Sequence, residues 1–255
     1  MKWCFSTLGC YEEKLDSIIA LAKRYHFNGI EVRGINNVMD NEEIDRFKED
    51  QKSRTINTLK DNNLEFTVLG TSCKFHDSTT YEKYIIKAKK EIDIAYSLNF
   101  KAIRIFGNNI IDDKSIEYLT TAINKLCSYN RDIQILLETH GDFNNSSTLK
   151  PIIEKAGHNA NFGLIWDIYH TYRFYGNNYE SFYLEFKPYI KHVHIKDSLN
   201  GRPVLFGKGD VDYQSVIAQL DNDNYQGYIS IEWEKKWFDN LEDLYEVIES
   251  LNIRF

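Results

Sequence analysis

Acidic and histidine side chains recur at alternate positions within short apolar runs of this chain. "LLETH" carries Glu138 and His140, "IWDI" carries Asp167, "KHVHIKD" carries His192, His194 and Lys196, and "YISIEWE" carries Ser230, Glu232 and Glu234. Alternation of this kind belongs to a β-strand, whose side chains point to opposite faces in turn. If the apolar row of each run packs on helices, the polar row points into an enclosed space, where desolvated groups need partners. Three carboxylates crowded near one rim repel one another unless a cation sits among them. Glu138, Asp167, His194 and Glu232 therefore read as the ligands of one divalent metal ion, Mn²⁺ before Mg²⁺, Co²⁺ or Zn²⁺, since they offer hard oxygens and a single imidazole. Four ligands leave positions open for substrate oxygens or water, as a catalytic metal requires. The competing reading is an ion-pair network, for which Arg33 and Arg104 are available.

The elements that would position these residues repeat from end to end. Apolar or β-branched runs fall at Lys2–Leu8, Gly29–Gly34, Glu65–Thr71, Ala102–Gly107, Ile133–His140, Phe162–Ile168, Ile190–Lys196 and Tyr228–Glu234. Between them lie segments of helical spacing, such as Leu15, Ile18, Ile19 and Ala22, or Leu241, Leu244, Val247, Ile248 and Leu251. Eight strands alternating with helices predict an α/β fold of parallel βα units, and eight closes a (β/α)₈ TIM barrel of about 250 residues. An open doubly wound sheet is disfavoured because no Gly-rich phosphate fingerprint follows the first strand. In a barrel, Ile30, Val32, Ile103, Ile105, Ile135, Leu137, Trp166, Ile168, Val193, Ile195, Ile229, Ile231 and Trp233 face the helices. Glu31, Arg33, Arg104 and the chemical set face inward.

With 255 residues, 42% hydrophobic and 27% charged, the composition is that of a globular protein. A net charge of −7 argues against broad binding to phosphate backbones, so no nucleic acid partner is expected. No apolar run is long enough to span a membrane, and the polar opening does not resemble a signal peptide. Four scattered cysteines, Cys4, Cys10, Cys73 and Cys127, read as packed thiols of a reducing, cytoplasmic compartment.

Several residues carry two readings. Lys196 either binds a carboxylate, phosphate or developing oxyanion, or pairs with Glu234. His140 is a candidate accessory base or substrate-binding donor, and His76 either reaches the substrate or lies at the surface. Glu31 reads as structural, paired with an arginine; His192 as a core histidine; His26 and His158 as solvated. The amides of "GKGD", Gly207–Asp210, either cradle a phosphate or form a plain turn.

The motifs "LETHGDF", "WDIYHTYR", "HVHIKDS" and "GKGDVDY…GYISIEWEKKW" resemble the sugar phosphate isomerase/epimerase group, the xylose isomerase-like TIM barrels, over residues 1–255 as one domain. The resemblance implies metal ligation by Glu138, Asp167, His194 and Glu232, with Glu138 and Glu232 also acting as acid and base. It places His170 on substrate oxygens and Arg202 near, but not at, a substrate-binding arginine of ketose 3-epimerases. The implied function is isomerisation or epimerisation of a sugar, sugar phosphate or hydroxy-keto acid through a metal-stabilised enediolate. The small-molecule substrate would be the main partner, with homo-oligomers common in the group. A dehydratase or lyase on the same barrel, a non-catalytic sugar-binding barrel and an endonuclease IV-like nuclease are the alternatives.

Overall fold

The computed structural model describes residues 1–253. Eight parallel strands close a barrel: β1 (Lys2–Ser6), β2 (Gly29–Val32), β3 (Glu65–Lys74), β4 (Ala102–Phe106), β5 (Gln134–Glu138), β6 (Phe162–Asp167), β7 (Ile190–Ile195) and β10 (Tyr228–Ile231). Around the barrel they follow the order β1, β10, β7, β6, β5, β4, β3, β2. The register is parallel where β1 meets β10 (Cys4 opposite Ser230) and where β5 meets β6 (Leu137 opposite Leu164). The expected (β/α)₈ barrel is the fold observed, and the apolar rows assigned to the helix side are buried.

Helices α1 (Leu15–Arg24), α2 (Lys52–Asp61), α3 (Ser78–Ser97), α4 (Ser115–Tyr129), α5 (Ser146–Ala156), α6 (Ile168–Tyr175), α7 (Glu180–Phe186), α8 (Tyr213–Asn222) and α9 (Leu244–Ser250) connect the strands. Four of them end alike. His26, Asn63, Asn99 and Asn224 take left-handed backbone just past α1, α2, α3 and α8. The next amide in each case, that of Phe27, Leu64, Phe100 or Tyr225, donates to a carbonyl in the last helical turn, closing the helix with 2.9–3.0 Å bonds. Asparagine tolerates that backbone because its short polar side chain bonds locally, so it does here what glycine commonly does. The small joints of the sequence are thus helix caps that turn the chain into the next strand, and His26 is one of them.

The chain forms two compact halves, each with its own contacts. One is Met1–Val68 with Val193–Phe255, and the other is Leu69–His192. In the first, Phe5, Ile30, Val32, Ile195, Ile229 and Trp233 are buried; in the second, Ile103, Ile105, Ile135, Leu137, Leu164 and Trp166 are. Trp166 stacks on Tyr183 of α7 at 5.3 Å between ring centres, which seats that helix.

Two features depart from the expected elements. Strand β6 stops at Asp167, so Ile168 is the first residue of α6 rather than a strand residue. Asp167 causes this, because its carboxylate accepts the His170 amide at 3.0 Å as an N-cap. The polar segment after β7 contains an antiparallel hairpin, β8 (Asp197–Leu199) and β9 (Arg202–Val204). Its two-residue turn is Asn200–Gly201, both with positive φ, the pairing that a tight hairpin favours.

Asp197 holds the segment that follows. Its buried carboxylate accepts the amides of Ser198 (2.8 Å), Gly207 (2.9 Å), Gly209 (2.9 Å) and Val211 (3.2 Å). A side chain at Gly209 would collide with it, since an added Cβ would lie 2.2 Å from the Asp197 carboxylate. The "GKGD" amides are therefore engaged by the protein's own aspartate, and the plain-turn reading holds over a phosphate cradle. Replacing Asp197 by Ala leaves those amides without their acceptor. Urea unfolding should show a loss of roughly 2–4 kcal/mol, with Asp197→Asn losing less because it keeps one acceptor oxygen.

Candidate functional site

In the first half, three strands bring a buried charged cluster together. Glu31 comes from the middle of β2, His194 from β7, and Glu232 from the residue just past β10. Glu31 Oε2 lies 3.0 Å from His194 Nε2, and Glu232 Oε1 lies 3.5 Å from His194 Nδ1. Lys196 Nζ contacts the other oxygen of Glu232 at 2.5 Å and lies 3.7 Å from Glu234. Glu31 and His194 are wholly buried, and Lys196 and Glu232 nearly so. Burial works against a charged ring at His194. The charges and hydrogen bonds of Glu31 and Glu232 outweigh it and hold the imidazole well above its ordinary pKa.

Two expectations change here. Glu31, expected beside an arginine, contacts His194, because β2 and β7 both direct these side chains into the barrel interior. Lys196 sits closer to Glu232 than to Glu234, which was its expected structural partner. Glu31, His194 and Glu232 each offer a ligand atom within 4.8 Å of the others, so Glu31 belongs to the polar cluster.

The second half supplies the complementary set. Glu138 ends β5, and its Oε2 lies 3.0 Å from Arg104 Nη1 of β4. Arg104 is itself held: its Nη2 donates to the Thr71 carbonyl at 3.3 Å, and its guanidinium lies 4.5 Å from the Phe106 ring centre. Asp167 is fixed by its capping role and by its own amide, which donates to Thr139 Oγ1 at 2.8 Å. His140 lies past the end of β5, half-buried, with its ring centre 4.1 Å from that of His170 and 5.3 Å from that of Phe106. Glu138, His140 and His170 also offer ligand atoms within 4.8 Å of one another.

The remaining candidates lie further out. His76 is half-buried rather than at the surface, with Nε2 3.2 Å from the Asn108 amide nitrogen and its pKa lowered by burial. Arg202 is exposed on β9 and donates to the Asp239 carbonyl, so it braces the hairpin against the loop after β10. His192 is buried in β7, while His26 and His158 are exposed. All four cysteines are buried free thiols; burial pushes Cys10 and Cys127 up to about 12 and Cys4 higher still, which makes them poor nucleophiles.

Sequence reasoning did not identify the role of Glu31, whereas Arg104 is an ion-pair partner of an inward carboxylate, as the competing reading offered. Glu31 is a lone charged residue on an inner row, which is a signal of burial but not of partner. Chemically, each half gathers carboxylates, imidazole and a cation, the residue types that barrel enzymes carry at their strand ends.

Comparison with known proteins agrees with this architecture. A 3-dehydroshikimate dehydratase of Bacillus anthracis is 23% identical over 263 residues, covering 91% of each chain. The structure of the probable 3-DHS dehydratase AsbF from Bacillus anthracis superposes with a TM-score of 0.81 at 20% identity, over the full length of both chains. The IOLI protein, whose structure holds a zinc atom, matches with a TM-score of 0.75 at 17% identity, over 98% of this chain and 95% of its own. At such identities the structural likeness establishes the fold. The model of the xylose isomerase-like TIM barrel family matches residues 19–252. This chain belongs to the xylose isomerase-like TIM barrel family.

Proposed function

We propose that this protein is a divalent-metal-dependent dehydratase acting on a hydroxylated keto acid of the 3-dehydroshikimate kind. The observation that carries this reading is that both glutamates of the mouth are ion-paired to buried cations, Glu138 to Arg104 at 3.0 Å and Glu232 to Lys196 at 2.5 Å. An adjacent cation stabilises a carboxylate in its charged form. Epimerisation by two glutamates requires one of them to enter the step protonated, which these cations oppose. An elimination needs only one base, and His140, past the end of β5 and in ring contact with His170, is an imidazole suited to that role.

The donor set fits a metal. Glu138, Asp167, His194 and Glu232 sit at or just beyond the ends of β5, β6, β7 and β10, which are consecutive in the barrel, and all four are buried. Three carboxylates and one imidazole suit Mn²⁺, Mg²⁺, Co²⁺ or Zn²⁺. When bound, such an ion supplies a Lewis acid that favours negative charge on a substrate carbonyl oxygen.

The protein's own groups account for the rest. His140 takes the proton from the carbon beside the carbonyl, and His170, in ring contact with it, orients the substrate oxygens. The C–H electron pair becomes the new C=C bond as the β C–O bond breaks. The proton on His140 passes to the departing hydroxyl, so water leaves and the imidazole is restored. Lys196 supplies positive charge for a substrate carboxylate. The 23% identical dehydratase supports this choice of substrate class.

The test is to incubate the Mn²⁺-loaded protein with 3-dehydroshikimate and follow loss of water by mass spectrometry and growth of ultraviolet absorbance. Dehydration is expected, with His140→Ala lowering kcat about 10²–10⁴-fold and leaving metal content unchanged. Lys196→Met should raise KM more than it lowers kcat if the lysine holds the carboxylate. No dehydration, together with solvent deuterium appearing in recovered ketose substrates, would replace this reading with the epimerase.

A further inference from the structure

The geometry points to Glu31 as the positioning residue of His194, fixing which ring nitrogen the imidazole offers at the mouth. The inference rests on the metal reading above and adds a residue that the four-ligand set does not contain.

Glu31 and His194 are wholly buried. A carboxylate can only accept hydrogen bonds, so the 3.0 Å contact between Glu31 Oε2 and His194 Nε2 requires the ring proton on Nε2. A metal would take the place of the proton on the other nitrogen, Nδ1, which lies on the Glu232 side of the ring, 3.5 Å from Glu232 Oε1. A metal-binding histidine needs its tautomer and its ring plane set in advance, and a carboxylate on the distal nitrogen does both. Glu31 reaches His194 from β2, which is separated from β7 by β1 and β10 in the barrel order, so the contact runs through the interior. Alternation on β2 leaves no freedom in this. Ile30 and Val32 are buried on either side of Glu31 and anchor the strand, which keeps the carboxylate directed inward.

A structural ion pair would give the same distance, and so would a glutamate that is itself a ligand. The three roles respond differently to substitution. Glutamine keeps a carbonyl oxygen able to accept the Nε2 proton but is a poor metal ligand, whereas alanine removes the acceptor.

The experiment measures Zn²⁺ affinity of the full chain, Glu31→Gln and Glu31→Ala by competition with a chelator, beside circular dichroism to confirm that each folds. A long-range ¹H–¹⁵N spectrum of the zinc-loaded parent is recorded in parallel. Expected is an affinity loss of about 10–100-fold for Glu31→Ala, a clearly smaller loss for Glu31→Gln, and a spectrum with the proton on His194 Nε2 and zinc on Nδ1. Equal, severe loss in both variants would make Glu31 a ligand and overturn the assignment, as would zinc on Nε2. Unchanged affinity in both variants would overturn it too, while leaving the metal reading standing. A parent that takes up no zinc would remove the metal reading and this assignment together.

Discussion

The mouth of this barrel depends on the pairing of buried charges of opposite sign. Glu138, Asp167, Glu31 and Glu232 are removed from water, and burying an isolated carboxylate costs several kcal/mol. The protein offsets this with a guanidinium on Glu138, an ammonium on Glu232, and an imidazole between Glu31 and Glu232. Asp167 also accepts the His170 amide as the cap of α6. In the proposed dehydratase the same pairings favour charged glutamates and leave proton transfer to a histidine.

The rest of the fold serves to hold those pairs in register. The outward rows, such as Ile103 and Ile105 or Ile229 and Ile231, bury each strand against its helices and so force the intervening residues inward. The left-handed caps at His26, Asn63, Asn99 and Asn224 end their helices in the same way and set the entry of the strands that follow. On the far side of β7, Asp197 folds the long loop back by gathering four amides, which keeps that loop from needing an external anion. A site of fixed charges needs this rigidity, since misplacing a charged group costs more in a dry interior than in water.

Much of this was legible in the chain. Alternation in "GIEVRG", "AIRIFG" and "VHIKD" separated inner from outer residues, because a strand has a period of two and the outer face must be apolar. The element count predicted the closed barrel. Partners across the barrel were not legible: nothing in the spacing of Glu31 and His194, 163 residues apart, says that their side chains meet in the interior. Ile168 was misread because an apolar residue after a strand looks like more strand, although Asp167 before it is a helix-capping residue. The hairpin at Asn200–Gly201 carried a recognisable turn signal within a segment otherwise dominated by its polar character. The choice between elimination and epimerisation could not come from residue types, since both use the same carboxylates. The proposed choice of elimination rests on which cation each carboxylate touches.

The central claim is that the inward carboxylates and His194 hold a catalytic metal rather than only one another. Elemental mass spectrometry of the purified protein after equal exposure to Mn²⁺, beside Asp167→Asn and His194→Ala, tests it most directly. The account predicts about one ion per chain in the parent and little in either variant. No ion in the parent, or the same content in all three, would mean that the mouth is a closed ion-pair network, and the dehydratase reading would fall with the metal.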